Sequence, residues 1–200
     1  MQQLSAFIAG GSMTSLKNKC ELRAYLRSLY EGKSERDAQS AKICRHILGS
    51  TEYKSAAVIG GYMPMAWEAD VKPVLQDALS MGKMVVLPLC EKEPNMTLRM
   101  ISSLDELKPG AYGLLEPSRD APIIPAERVD LLLVPLEGID RQGFRLGKGG
   151  GYYDCLLPRI RGITIGCALR WQWMESIPQE PWDVPLKMCA DPKGLQRFNQ

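Results

Sequence analysis

The segment DLLLVPLEGIDRQGFRLGKGGGYYD, residues 130–154, gathers the groups best suited to chemistry in this chain. Five glycines, Gly143, Gly147, Gly149, Gly150 and Gly151, are interleaved with Arg145 and Lys148, and Tyr152, Tyr153 and Asp154 follow at once. Glycines let backbone N–H groups come close to a ligand, and the two cations supply charge for an anion. A buried strand ahead of the loop and a helix beginning near Tyr152 would set such a cradle beyond the strand's carboxyl end, with the helix N-terminus favouring phosphate. Two common cradles are excluded by spacing. Walker A needs four residues between its glycines and then Gly-Lys-Ser/Thr, but Gly143 and Gly147 have three between them and Lys148 precedes Gly149. The dinucleotide pattern fails because Tyr152 stands where its third glycine belongs. By residue type alone the segment is either a phosphate cradle or a solvated loop. The paired tyrosines and Asp154 favour the cradle, because a solvated linker needs neither.

Other candidates are scattered, and each has a plain alternative. Lys19 and Arg23 lie four apart on one helix face, as phosphate ligands or as a solvated basic face. Glu68 follows a buried strand, and Asp183 sits between Trp182 and Val184 where a turn aspartate would serve. His46 is the single histidine, which leaves little for a histidine metal site or a Ser-His-Asp triad. Trp171 and Trp173 follow a strand end, at a pocket rim or in a satellite cluster.

The elements that position these groups read as alternating helices and buried strands. Helices are expected over 15–30, over 34–48 with Ser34 as N-cap, over 71–81 with Gly82 ending it, and over about 151–160. Strands are expected at 56–63, 84–89, 97–102, 129–135 and 163–169, with a long glycine-rich loop over 138–151. The pattern predicts an α/β fold: three layers, α/β/α, around a mainly parallel, Rossmann-like sheet. Residues 1–13 read as a loose N-terminal extension and 14–200 as a single α/β domain. At 200 residues the chain can bury a full core, and 45% hydrophobic with 24% charged residues excludes disorder. A net charge of +2 argues against a nucleic-acid partner held by bulk electrostatics. No apolar run approaches a membrane span, so no membrane partner is expected. Six cysteines carry no Cys-x-x-Cys pair, and the protein is expected to be cytoplasmic and a monomer.

Taken in order, several segments resemble the 5-formyltetrahydrofolate cyclo-ligase (methenyltetrahydrofolate synthetase) family from about Ser15 to Leu186. RLGKGGGYYD matches its signature, with Ile139, Asp140 and Gly143 ahead of it. Lys19 and Arg23 match its opening K-x-x-x-R helix, GYMPMAWEADV its strand and turn with Glu68, YGLLEP its central Glu-Pro pair, and EPWDVPL its closing Asp183. Lys148 stands where the family often has Arg, which keeps the charge and loses the planar fork.

The resemblance implies an ATP- and Mg²⁺-dependent enzyme that converts 5-formyltetrahydrofolate into 5,10-methenyltetrahydrofolate, ADP and phosphate. It makes Lys148 and Arg145 the catalytic cations. It assigns ATP to Lys19, Arg23, Arg145, Leu146, Gly147, Lys148, Gly149, Gly150, Gly151, Tyr152 and Tyr153. Folate falls to Met63, Glu68, Tyr112 and Tyr152, with Glu68 touching folate and not ATP. Asp154 and Asp183 become the Mg²⁺ ligands. Two other readings keep the fold: a regulatory module that binds a nucleotide or phosphometabolite without turnover, and an isomerase or acyl-transferase using Glu137.

Overall fold

Four consecutive apolar residues with no polar alternation suit a strand buried on both faces. The computed structural model, which describes residues 18–91, 94–110 and 113–199, places Leu131–Val134 inside an eight-stranded sheet. In chain order, α1 (Lys19–Ser28), α2 (Lys33–Gly49) and α3 (Thr51–Ser55) lead into β1 (Val58–Gly60). Helix α4 (Lys72–Ser80) connects β1 to β2 (Met84–Cys90), which turns into β3 (Met96–Ile101). Three short strands follow, β4 (Lys108–Pro109), β5 (Leu115–Glu116) and β6 (Ile123–Ile124), before β7 (Leu131–Val134). Then come β8 (Gly138–Ile139), β9 (Arg145–Leu146), α5 (Tyr152–Leu156), β10 (Ile163–Cys167), β11 (Met188–Asp191) and β12 (Gly194–Arg197).

The sheet order is β12-β11-β10-β7-β1-β2-β3-β6. Strands β11, β10, β7, β1 and β2 run parallel, and β12, β3 and β6 are antiparallel additions at the edges. The mainly parallel sheet is thus as expected, and the 84–88, 56–60, 130–134 and 163–167 segments are neighbours within it. The chain steps one way from β1 to β2 and the other way through β7 to β10. Order therefore reverses between β1 and β7, and a crevice opens beyond their carboxyl ends.

Alternation sorts the two faces. Leu131 and Leu133 pack with Ile43, Ile47, Val74 and Leu75 of α2 and α4, while Leu132 and Val134 pack with Leu156, Leu157 and Ile160. The layers are unequal, since the expected helix over 151–160 is one α turn followed by a 3₁₀ turn, Leu157–Arg159. Pro158 cannot donate to the α ladder and ends it. A third cluster joins Leu22 and Leu26 of α1 to Leu146, Met174 and Ile177, which seats α1 over the β8–β9 hairpin.

Four local expectations are corrected. Helix α2 is capped at Gly32, whose φ of 93° turns the chain before Ser34 is reached. Strand β1 is shorter than 56–63 because the chain leaves the sheet at Gly61, and Tyr62 donates its hydroxyl to Ala69 O at 2.9 Å. The 138–151 loop contains the β8–β9 hairpin, and the β11–β12 hairpin was not expected at all. The 1–13 extension and the start of the first expected helix lie outside the described residues. Among the described residues no helix is long and apolar enough to cross a membrane.

Candidate active site

The crevice at the order reversal holds a cavity. The loop after β1 supplies Tyr62, Met63, Met65 and Glu68, and the end of β2 supplies Leu87, Pro88 and Cys90. Pro135, Leu136 and Glu137 enter after β7, and Arg145 with Gly147 to Asp154 closes the other side. The lining from the ends of β1, β2 and β7 is thus apolar with the carboxylates of Glu68 and Glu137 set in it, and the glycine loop adds the cations.

The glycine loop is shaped by φ and by Arg23. Gly149 has a φ of 98°, and a β-carbon there would lie 3.3 Å from the Arg23 guanidinium. Gly151 adopts the left-handed conformation, with φ at 72°, and starts α5. Arg23 donates from Nε to Gly147 O at 2.6 Å. Among the described residues no hydrogen bond takes the N–H of Lys148, Gly149 or Gly150. Three successive N–H groups with no protein acceptor among the described residues, in a stretch that lines the cavity beside the Lys148 ammonium, make a suitable surface for phosphate.

Charges inside the site are arranged in pairs. The Lys148 ammonium is 3.0 Å from Glu68 Oε1, and Glu68 is 1% exposed. Glu68 Oε2 accepts the Met65 N–H at 2.8 Å. Arg145, with a 6% exposed side chain, donates to Asp154 at 2.7 Å and lies 5.4 Å from the Tyr153 ring centre. Burial lowers the Arg145 pKa, and the fields of Asp154, Tyr153 and Asp183 oppose that shift. The same burial pushes the Tyr153 phenol far above its ordinary range, so it stays neutral. Lys19 pairs with Asp183 at 2.6 Å, and Asp183 also accepts the Glu180 N–H at 2.7 Å.

Helix α1 reaches the site through a stripe of cations at four-residue intervals: Lys19 to Asp183, Arg23 to Gly147 O, and Arg27 to Glu137. Arg27 holds both oxygens of Glu137, at 2.8 and 2.5 Å, and lies 5.0 Å from the Trp67 ring centre. Arg27 and Glu137 were not among the expected ligand residues. The signal for Arg27 was its place four residues beyond Arg23. Glu137 is 2% exposed and locked by its bidentate partner, so it is poorly placed as the free nucleophile that an acyl-transferase needs.

The structure brings together Met63, Glu68, Arg145, Gly147, Lys148, Gly149, Gly150, Gly151, Tyr152, Tyr153 and Asp154 around one cavity. Arg23 braces the loop from outside this lining, and Lys19 and Asp183, also outside it, pair with each other. Leu146 is fully buried in the α1 cluster, so its side chain cannot touch a ligand, and its carbonyl accepts the Glu137 N–H at 2.8 Å. Tyr112 lies outside the described residues, although Leu114 to Glu116 beside it line the cavity. Trp171 packs on the main core and Trp173 on the second, where its indole donates to Asp191, so neither lines the cavity. His46 is half-buried on α2.

Cys90 also faces the cavity, and burial together with the adjacent Glu116 carboxylate pushes its thiol up to about 11. The thiolate is the reactive form. Iodoacetamide near pH 8 is therefore expected to alkylate exposed Cys20 and Cys155 first and to leave Cys90 unmodified. Peptide mass spectrometry checks this, and Cys90 labelling as fast as Cys20 would contradict it.

The 5-formyltetrahydrofolate cyclo-ligase family model matches residues 15–192. The chain is 30% identical over 172 residues to 5-formyltetrahydrofolate cyclo-ligase of Haemophilus influenzae, covering 83% of this chain and 89% of the relative. It is 30% identical over 146 residues to the Escherichia coli K12 enzyme of the same name, covering 70% and 80%. Aquifex aeolicus 5,10-methenyltetrahydrofolate synthetase superposes with a TM-score of 0.81 at 30% identity, over 91% of this chain and 93% of that one. A family model that spans most of the chain, relatives at 30% identity and a superposable fold together show that the chain belongs to the 5-formyltetrahydrofolate cyclo-ligase family and is an enzyme of that type.

Proposed function

We propose that this enzyme converts 5-formyltetrahydrofolate to 5,10-methenyltetrahydrofolate, with ATP hydrolysed to ADP and phosphate. The observation that carries the reading is one cavity holding a buried carboxylate, Glu68, opposite a lysine on a glycine loop. A carboxylate accepts from the pterin amino and N–H groups, and a cation beside open N–H groups receives phosphate. Met63 and Tyr152 supply walls for the rings.

The chemistry needs an activated formamide. The formyl oxygen attacks the γ-phosphorus, ADP leaves, and the carbon becomes open to N10. N10 attacks, its proton passes to solvent, and phosphate departs to leave the methenyl bridge. Both reacting groups belong to one substrate, so the protein mainly positions two ligands and neutralises moving charge. Lys148 faces the cavity and takes the catalytic role at the transferred group. Arg145 sits deeper, and holds Asp154 in place while contributing its charge.

Among the described residues no group of three or more His, Cys, Asp or Glu side chains is placed to hold a metal. A Mg²⁺ ion that arrives with phosphate oxygens needs only one or two carboxylates; Asp154, which lines the cavity, would supply the first and Asp183, outside the lining, a second. Bound there, Mg²⁺ would neutralise phosphoryl charge. Six free thiols suit a reducing cytoplasm.

Mixing the protein with Mg²⁺-ATP and 5-formyltetrahydrofolate is expected to raise the absorbance of the methenyl product, with one ADP per turnover. ATP consumption with no methenyl absorbance would refute the assignment.

A further inference from the structure

Glu68, the proposed folate acceptor, and Lys148, the proposed phosphate cation, are each other's partners at 3.0 Å. The two ligands must therefore compete for the two halves of one ion pair. The halves are unequal: the Glu68 side chain is 1% exposed and Lys148 34%. Lys148 can swing to a phosphate, whereas Glu68 is held in the cavity wall and shielded from water while the pair is intact. Its Oε1 lies in ion-pair range of Lys148 but receives no well-directed hydrogen bond among the described residues. If Lys148 leaves, Glu68 keeps only the Met65 N–H on its other oxygen. Arg27, whose field also reaches Glu68, is committed to Glu137 through two hydrogen bonds. A buried carboxylate stripped of its cation is costly, and neutral donors that pair with it remove much of that cost.

We infer that Glu68 is also a positioning residue, which holds Lys148 away from ATP until the donors of a bound folate take over the carboxylate and release the lysine. This rests on the assignment of folate and ATP to the cavity given above. Either ligand alone disturbs the pair, and the two together share that disturbance, so they bind with positive coupling. Linkage makes the coupling equal in both directions. The transferring cation is then in place only when an acceptor for the phosphoryl group is present, which suppresses wasteful transfer to water.

The test is calorimetric titration with a non-hydrolysable ATP analogue and Mg²⁺. In the wild-type protein, saturating 5-formyltetrahydrofolate is expected to tighten analogue binding about fivefold or more, the lower end of typical coupling. Without any folate, Glu68→Gln is expected to tighten analogue binding by a similar factor, because Lys148 is no longer restrained. Adding Lys148→Met should abolish that gain. Analogue affinity in the wild type that is indifferent to folate would overturn the inference, whether or not the variants fold. So would a folded Glu68→Gln protein with unchanged or weaker analogue binding. A wild-type protein that binds neither analogue nor folate would instead overturn the proposed function itself.

Discussion

Replacing Lys148 with alanine is expected to lower kcat about 10²–10³-fold, the usual loss when a preorganised group that stabilises transition-state charge is removed. With folate present, ATP binding should also weaken by about 1.5–3 kcal/mol, the worth of a charge-assisted contact. The alanine variant carries a second penalty. It leaves Glu68 buried with no cation within ion-pair range, so thermal stability should fall as well. Lys148→Arg keeps the charge and should be much milder. Steady-state kinetics with both ligands varied, alongside a melting curve, separates the effects. Unchanged kinetics in Lys148→Ala would return residues 147–151 to the status of a solvated loop.

The second large effect is an asymmetry of stability across the Arg145–Asp154 pair. The arginine side chain is 6% exposed and the aspartate 28%. Asp154→Ala strands a buried guanidinium, a loss of about 3–5 kcal/mol. At about 2–4 °C per kcal/mol for a chain of this length, the ligand-free protein should melt roughly 6–20 °C lower. Arg145→Met leaves an aspartate that water can reach and puts an apolar side chain in the buried space, so its loss should be well under half as large. Differential scanning calorimetry without ligands reads this independently of any metal role. Equal losses, or a larger loss for Arg145→Met, would show that burial does not set the energetics of the pair. With ligands, Asp154→Asn should keep folate binding, lose turnover and demand more Mg²⁺.

How far the residues alone reach can be judged from particular cases. Leu131–Val134 is a run with no polar member, and its place between β1 and β10 follows from that. The glycine loop announces itself because no ordinary element tolerates that density of glycine. Lys19 and Arg23 were legible as a basic face, but their targets were not. Charge type is local information, whereas the partner depends on which distant segment the fold delivers. The same holds for Glu68 and Lys148: each was assigned to its own ligand, and only the loop after β1 meeting the loop after β9 makes them one pair. Strands β4, β5, β6, β8, β9, β11 and β12 were missed because, unlike β1 and β7, these short strands sit in no extended apolar run. The inward packing of Leu146 was not legible, because motif membership does not say which way a strand residue faces.

Helix α1 leaves the ribosome well before any of its anchors does. Arg27 waits 110 residues for Glu137, Arg23 waits 124 for Gly147, and Lys19 waits 164 for Asp183. Each closure must offset the entropy of a long intervening loop, and nearly the whole sheet has to exist first. During synthesis the basic helix therefore stays undocked while the core condenses, and its contact with Asp183 closes only after residue 183 has emerged. A nascent chain stalled short of residue 183 would carry most of the sheet and none of the clasp between Lys19 and Asp183.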